Sequence, residues 1–305
     1  VHPWFADKGE KEPHPAFVND RSLTADDKAA LLAWLKAGTP IGDPADAPLP
    51  RTFPKDWAIG KPDVVFQIPK PIAIKATGTM PYQTAVIDTK LTEDKWIRGY
   101  EIQPTDRSVV HHVLVFVVSG EAAGGEANNP LARLRDEAEE RQGFFAAYVP
   151  GNDKQVFPDG FAKPLPKGAK LRFQIHYTPS GKATTDQVKI AFLYAKEPPR
   201  HELRVAGLAN PRIKIPPEAA NHPELASVTV PADVTVTSFM PHLHLRGKAC
   251  RYEATLPDGK TITLLDIPRY DFNWQLRYEL AAPVDLPKGT QLKFRAWFDN
   301  SANID

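Results

Sequence analysis

The chain has very little sulfur and no marked excess of charge of either sign. Among its 305 residues there is one cysteine, Cys250, so neither an internal disulfide nor a thiolate metal cluster can form. Lysine and arginine number 38 against 37 aspartates and glutamates, which gives no electrostatic reason to expect nucleic acid or an anionic membrane as a partner. No apolar run approaches the roughly 18 residues that a spanning helix needs, so we expect no membrane span.

Several catalytic signatures are absent as well. The sequence contains no G-x-S-x-G, H-E-x-x-H or C-x-x-C motif and no glycine-rich phosphate loop, which removes the commonest hydrolase, metalloprotease, thiol-redox and nucleotide sites. Turn-forming residues are plentiful instead, because 31 prolines and 18 glycines are spread along the chain. Such punctuation between β-branched and aromatic segments is typical of many short strands.

The strand pattern falls into two blocks. Residues 61–197 and 203–305 each contain repeated apolar segments, with residues 274–280 among the predicted strands, and residues 197–200 between the blocks have the composition of a linker. We therefore predict an all-β fold. Two tandem antiparallel β-sandwiches of jelly-roll type are expected, preceded by a short helical segment within residues 1–50.

Two helices are predicted outside the strand pattern. In the first, Thr24 caps the helix, Asp27 supplies the matching carboxylate three positions later, and Gly38 ends it. Its apolar stripe cannot be buried by one helix alone, so it must pack on the following block or on a partner. The second helix is expected between Asn129 and Gly143.

Five of the nine histidines lie in or beside strand-like segments. The alternation of an extended chain turns His242 and His244 to one face, where both imidazoles can share a metal ion. His111 and His112 are adjacent, so joint ligation requires a β-bulge or a twisted strand end. His176 ends another apolar segment. Histidine ligands without a carboxylate suit copper or zinc rather than calcium or magnesium.

The order of these histidine motifs resembles a known family. Residues 110–116 carry the adjacent pair, residues 174–177 carry a His-Tyr pair, and residues 242–248 carry the H-x-H motif. Together they resemble the copper type II ascorbate-dependent monooxygenases, which include peptidylglycine alpha-hydroxylating monooxygenase and dopamine beta-monooxygenase. The resemblance runs from about residue 61 to the end of the chain.

The resemblance implies one copper ion in each β-sandwich. It assigns an electron-donating copper to His111, His112 and His176, and an oxygen-activating, catalytic copper to His242 and His244. The implied reaction is hydroxylation of a C–H bond of a small-molecule or peptide-like organic substrate by O2, with ascorbate or a cytochrome haem as electron donor. In the family a solvent-filled gap divides the two coppers, so the two histidine groups are expected to face a shared cleft without touching.

Two departures from the family pattern concern the second copper. The family's third ligand there is a later methionine, whereas Met80 and Met240 both precede His242, so the second block is expected to stop short of that ligand. Met240 also stands where the peptide-amidating members carry an arginine that grips the substrate carboxylate. A peptidylglycine substrate is therefore not expected.

Residues 1–50 resemble the tail of a helical c-type cytochrome module. Because no C-x-x-C-H motif is present, this chain alone would bind no haem. A cytochrome c partner and an extracytoplasmic location, periplasmic or secreted, follow from this resemblance. Two alternatives stay open: a non-catalytic copper-binding or electron-transfer module, and a β-sandwich that recognises glycans through exposed Tyr270, Phe272 and Trp274.

Overall fold

The computed structural model describes residues 4–7, 14–50, 52, 56–118, 143–210 and 212–302. Across these ranges the chain is an all-β protein with one α-helix near its N-terminus, as the sequence predicts. The elements, in chain order, are α1 Ala25–Lys36, a 3-10 turn Pro44–Asp46, β1 Val64–Gln67, β2 Ile72–Ile74, β3 Gln83–Asp88, β4 Lys95–Gln103, β5 Val110–Val118, β6 Ala146–Tyr148, β7 Lys154–Val156, β8 Phe161–Leu165, β9 Lys170–Tyr177, β10 Thr184–Asp186, β11 Lys189–Tyr194, β12 His201–Glu202, β13 His222–Thr229, β14 Val234–Phe239, β15 Gly247–Thr255, β16 Thr261–Ile267, β17 Tyr278–Leu286 and β18 Gln291–Phe298.

The first hydrophobic core lies between two sheets. One sheet has the order β1-β11-β4-β8-β12, with β7 also paired to β4, and the other has the order β3-β9-β5-β6. Pairing is antiparallel except between β12 and β8. Ile97 of β4 and Phe192 of β11 meet Val113 of β5 and Phe173 of β9 in one buried cluster. Strands that alternate between this core and the surface are what a sandwich requires.

The second hydrophobic core is formed by the later strands. The sheet β13-β18-β15-β16 and the pair β14-β17 supply its buried side chains, among them the free Cys250. The segment near the N-terminus belongs to the same cluster, because Phe5 is buried in it and Trp4 packs on Tyr278 with ring centroids 4.9 Å apart. Phe17 forms a β-bridge with Leu280. Parts of the first 50 residues therefore pack directly on the second core.

The helix α1 begins as the sequence predicts. The backbone N–H of Asp27 donates to the Thr24 hydroxyl at 3.0 Å, which forms a capping box, and Gly38 follows the helix with a φ of 79°. None of its residues is buried, so its apolar side chains remain on the surface of the part of the chain described. The helix predicted between Asn129 and Gly143 lies outside the described residues, apart from Gly143 itself. No helix in the described ranges is both long and apolar enough to cross a membrane.

The strand predicted at residues 274–280 is wrong in its first half. Strand β17 begins only at Tyr278: residues 271–274 form a turn, and residues 275–277 have no regular secondary structure. The Asp271 carboxylate accepts the backbone N–H of Asn273 at 2.9 Å, and its carbonyl accepts that of Trp274 at 3.0 Å. An aspartate that bonds its own following backbone closes a turn even where aromatic neighbours favour a strand. This turn lies beside the candidate site.

Candidate metal centre

The pairing of β5 with β9 positions two of the predicted ligands. In this antiparallel ladder His112 lies directly opposite His176. Directly opposed residues project from the same face of a sheet. The two ring centroids are accordingly 5.2 Å apart.

A β-bulge brings in the third ligand, His111. The register shifts between the pairs Val110–Tyr177 and His112–His176, so His111 is the extra residue. The bulge turns its ring to the side of its neighbour, and the Nδ1 atoms of His111 and His112 lie 3.0 Å apart. Of the two geometries that would let His111 and His112 share a metal ion, a bulge or a twisted strand end, the structure has the bulge. One potential ligand atom from each of the three histidines lies within 4.8 Å of the other two.

The orientation of His111 is set from the second core. Its Nε2 lies 3.1 Å from the carbonyl oxygen of Phe272, and the two rings stack with centroids 4.2 Å apart. Because a carbonyl oxygen can only accept, Nε2 must carry the proton and Nδ1 keeps its lone pair. Tyr82 stacks in a similar way on His176, with centroids 4.8 Å apart. Aromatic rings thus cover two of the three ligands.

The electrostatics of this group suit a metal ion. Nε2 of His112 and Nδ1 of His176 are buried and have no hydrogen-bond partner among the described residues. Burial, with repulsion from neighbouring imidazoles, lowers the pKa of His112 to about 2 and that of His176 to about 4. Burial also lowers the pKa of His111. Neutral imidazoles with unpaired buried nitrogens are ligands for a cation, and a group without a carboxylate fits copper or zinc.

The second predicted pair, His242 and His244, lies in a loop and not on a strand. The loop spans residues 240–246 between β14 and β15. Both rings nevertheless turn to one place, with centroids 5.3 Å apart, as expected for an extended H-x-H segment. The Tyr270 hydroxyl holds the residue between them by donating to the Leu243 carbonyl at 3.0 Å and accepting its N–H at 3.1 Å. Nδ1 of His242 is hydrogen-bonded to Oε1 of Gln275.

The protonation of His242 also favours ligation. Burial, followed by repulsion from His244, lowers the pKa of His242 to about 4. The imidazole of His242 is therefore neutral at neutral pH. His244 is exposed to solvent, whereas His242 is partly buried. The pair thus combines one covered ring with one that faces solvent.

The two histidine groups touch, which contradicts the expected gap between them. The rings of His112 and His242 are edge to face with centroids 5.0 Å apart. The reason is that residues beside the second core contact the sheet β3-β9-β5-β6. Phe272 stacks on His111, and the loop of residues 240–246 places His242 against His112. Five histidines from both cores therefore form one continuous cluster.

Sequence reasoning missed the side chains that support these ligands. Gln275 belongs to no motif that marks it in the sequence, and Tyr270, Phe272 and Trp274 are predicted to be exposed. The predicted exposure is wrong, because Tyr270 is only 8% exposed, Phe272 lies on His111 and Trp274 packs against the second core. The one available signal was the aspartate at position 271, which favours a turn beside the histidines.

Comparisons with known proteins add little. No protein-family profile matches the chain, and no curated protein matches it. Among solved structures, a candidate alpha-L-fucosidase from Bacteroides ovatus is 13% identical with a TM-score of 0.19, and the alignment covers 79% of this chain and 36% of that one. Allantoicase is 11% identical with a TM-score of 0.21, covering 77% of this chain and 81% of that one.

Proposed function

We propose that this chain is a copper-dependent monooxygenase, which hydroxylates a C–H bond of an organic substrate with O2 and an external electron donor. The observation that carries the proposal is the convergence of five histidines from two cores, three of them with ligand atoms within 4.8 Å. The order of the histidine motifs along the sequence supports the same family of enzymes.

His111, His112 and His176 would hold one copper ion, and His242 and His244 would contribute to the second. Bound copper supplies one-electron transfer and the activation of O2 at a position left open by the protein. The chain itself keeps the imidazoles neutral by burial and orients His111 through the Phe272 carbonyl, so that the ligands need not be deprotonated before the metal binds.

The two histidine groups differ in their exposure to solvent, and this difference supports different roles for the two coppers. His112 is 1% exposed and lies within a strand ladder, which suits a closed site that passes electrons. His244 is exposed, so substrate and O2 would enter on its side. A catalytic metal needs such an open position, whereas a purely structural or electron-transfer metal does not.

The electron donor and the compartment extend the proposal. Ascorbate, or a cytochrome c that delivers electrons from its haem, would reduce the coppers, and the protein would work outside the cytoplasm. The support for both is the sequence resemblance. The substrate would be a small molecule or a peptide-like compound. A peptidylglycine is not expected, because the chain has Met240 where the peptide-amidating members have a carboxylate-binding arginine.

Copper stoichiometry and isotope incorporation test the proposal. Titration of the metal-free protein with Cu(I) under a competing chelator should give two ions per chain, and the oxidised form should show the electron paramagnetic resonance of nitrogen-ligated Cu(II). With ascorbate, 18O2 and a panel of small organic and peptide-like compounds, one product should carry 18O. His244→Ala should abolish that product while one copper ion remains. Binding of zinc in preference to copper, or no copper at all, would refute the proposal.

A non-catalytic copper-binding or electron-transfer role is the second candidate. The positions of the two methionines favour it, because Met80 packs on the first core and Met240 precedes His242 by only two residues. The described residues therefore offer no thioether placed like the family's third ligand. Under this alternative the protein would bind copper and be reduced by ascorbate, but no compound in the panel would gain 18O.

A further inference from the structure

One short segment of the second core contacts both histidine groups. Within residues 270–275, the Phe272 carbonyl accepts a hydrogen bond from Nε2 of His111 at 3.1 Å and another from Nε2 of Gln275 at 3.3 Å. The other end of the same amide, Oε1 of Gln275, is bonded to Nδ1 of His242. A continuous hydrogen-bonded path thus joins a histidine of one group to a histidine of the other.

The path determines where the protons lie. Because the Phe272 carbonyl can only accept, the amide of Gln275 must turn its NH2 group to it and its oxygen to His242. An amide oxygen also only accepts, so Nδ1 of His242 must carry its proton. The lone pair of His242 is then on Nε2, the nitrogen that a metal can use.

We infer that Gln275 is a positioning residue, which holds His242 in its Nδ1–H tautomer and links it through the Phe272 carbonyl to His111. Gln275 is 2% exposed, and both ends of its amide are used inside the protein. It makes no bond to the metal in this role. Its effect on metal affinity rests on the proposed function, whereas its effect on the tautomer does not.

Hydrogen bonds elsewhere in residues 270–275 hold the backbone around Gln275 and around Leu243 in place. The Asp271 turn holds the backbone on one side of Gln275, and the Tyr270 hydroxyl bonds both backbone groups of Leu243. The amide therefore meets His242 from a rigid support. Partners of this kind orient ligating histidines and typically change metal affinity by about 10–100-fold when removed.

Two substitutions distinguish the two hydrogen bonds that the Gln275 amide makes, one to His242 and one to the Phe272 carbonyl. Gln275→Met has nearly the same shape and loses both hydrogen bonds. Gln275→Glu keeps an oxygen that accepts from His242 but loses the donor to the Phe272 carbonyl. Asn273→Ser, at an exposed position of the same turn, is the matched control. Thermal melts of all variants establish that each remains folded.

The first readout is the tautomer in the metal-free protein. Long-range 1H–15N correlation spectra of 15N-histidine-labelled protein report which ring nitrogen carries the proton. His242 should be the Nδ1–H form in the wild type, in Gln275→Glu and in Asn273→Ser, and should shift toward the Nε2–H form in Gln275→Met. The Nε2 signal of His111 should move in both Gln275 variants. An unchanged His242 tautomer in folded Gln275→Met would overturn the inference.

The second readout is Cu(I) affinity measured against a competing chelator. At the site of His242 and His244, Gln275→Met should bind about 10–100-fold more weakly than Asn273→Ser, and Gln275→Glu should restore most of that affinity. Equal affinities in Gln275→Met and the control would contradict a positioning role. If the wild type binds no copper but the tautomers behave as expected, the proposed function fails and the role of Gln275 stands.

Discussion

The two groups of histidines are held in place by different kinds of structure. His112 and His176 face each other across a strand ladder, and a bulge in that ladder adds His111, so backbone pairing places all three residues, while the Phe272 carbonyl orients the ring of His111. His242 and His244 lie in a loop, where their positions depend on side chains of another segment, the Tyr270 hydroxyl and the Gln275 amide among them. The first group is held by the backbone of the sheet, whereas the second is held beside it by side-chain hydrogen bonds.

This difference decides how each group can change. A ladder-held ligand moves only if several backbone hydrogen bonds break together, whereas a loop-held ligand moves when one or two side-chain contacts are lost. The buried ladder site suits a metal whose surroundings stay constant during electron transfer. The loop site, with His244 exposed, suits a metal that must exchange ligands. We therefore expect the loss of a single contact to change metal affinity differently in the two groups.

The largest effect is expected from removing a ladder ligand. In His112→Ala the three-histidine site should lose Cu(I) affinity by more than about 100-fold, because loss of an outer partner alone costs 10–100-fold. The loop pair should keep its ion, so copper should fall from two ions per chain to one in a chelator competition. His201→Ala is the control, since that ring is exposed on β12 and stacks on Phe161. Loss of both ions in His112→Ala would show that the two sites do not bind independently.

The next effect concerns pH and the burial of the ladder site. Burial, with repulsion from neighbouring imidazoles, lowers the pKa of His112 from 6.5 to about 2 in the folded, metal-free protein. As the pH falls below 6.5, His112 therefore becomes protonated in the unfolded state while it stays neutral in the folded state. The stability contributed by the neutral ring is present above pH 6.5 and is lost as the pH falls below it. Between pH 7 and pH 5 this one group should lower the free energy of unfolding by about 2 kcal/mol.

Urea unfolding at both pH values checks this expectation. His112→Gln cannot titrate, so its loss of stability on acidification should be smaller than that of the wild type by about 2 kcal/mol. His244→Gln, at an exposed position in the same cluster, serves as the control. An equal change in both variants would contradict burial of His112 as the cause.

The members of the ladder site can be grouped from the sequence only through the order of the histidine motifs, since each motif alone is equally compatible with a structural histidine. Local geometry adds one condition: His111 and His112 can share a metal ion only at a β-bulge or a twisted strand end, and the structure has a bulge there. The all-β fold and the cap at Thr24 are predictable because their deciding residues are neighbours in the chain or belong to one repeating pattern.

The supports of the loop site could not be predicted in that way. Gln275 lies 33 positions from His242, and nothing in its neighbourhood marks it as the partner of that ring. The Asp271 turn overrode the strand tendency of Phe272 and Trp274 because a local hydrogen bond outweighs a weak propensity. The contact between the two groups was missed for a related reason. It depends on Phe272 meeting His111, which lies 161 positions away in the other core.

A smaller effect is expected from disturbing the loop alone. A β-carbon added at Gly247 would lie 2.5 Å from Cβ of Leu243 and 3.1 Å from the His244 carbonyl oxygen, so Gly247→Ala must push the residue between the two histidines aside. Cu(I) affinity at the loop pair should fall about tenfold, the lower end of the range for a lost outer contact, while the ladder site is unchanged. Gly42→Ala is the control, since its β-carbon would meet nothing within 4 Å. A change at the ladder site instead would contradict the separation of the two supports.

The smallest effect tests one contact through which the second core supports the ladder site, the stacking of Phe272 on His111. Phe272→Leu removes the ring that stacks on His111 at 4.2 Å but leaves the carbonyl that accepts its N–H. Aromatic stacking contributes about 0.5–1.5 kcal/mol beyond buried area, so Cu(I) affinity at the three-histidine site should fall roughly two- to tenfold. Phe294→Leu, in the same core and packed on Tyr252, is the control for general loosening. Weaker Cu(I) binding at the loop pair with unchanged binding at the ladder site would contradict this expectation. The Phe272 ring would then support only the loop, and its carbonyl alone would contribute to the ladder site.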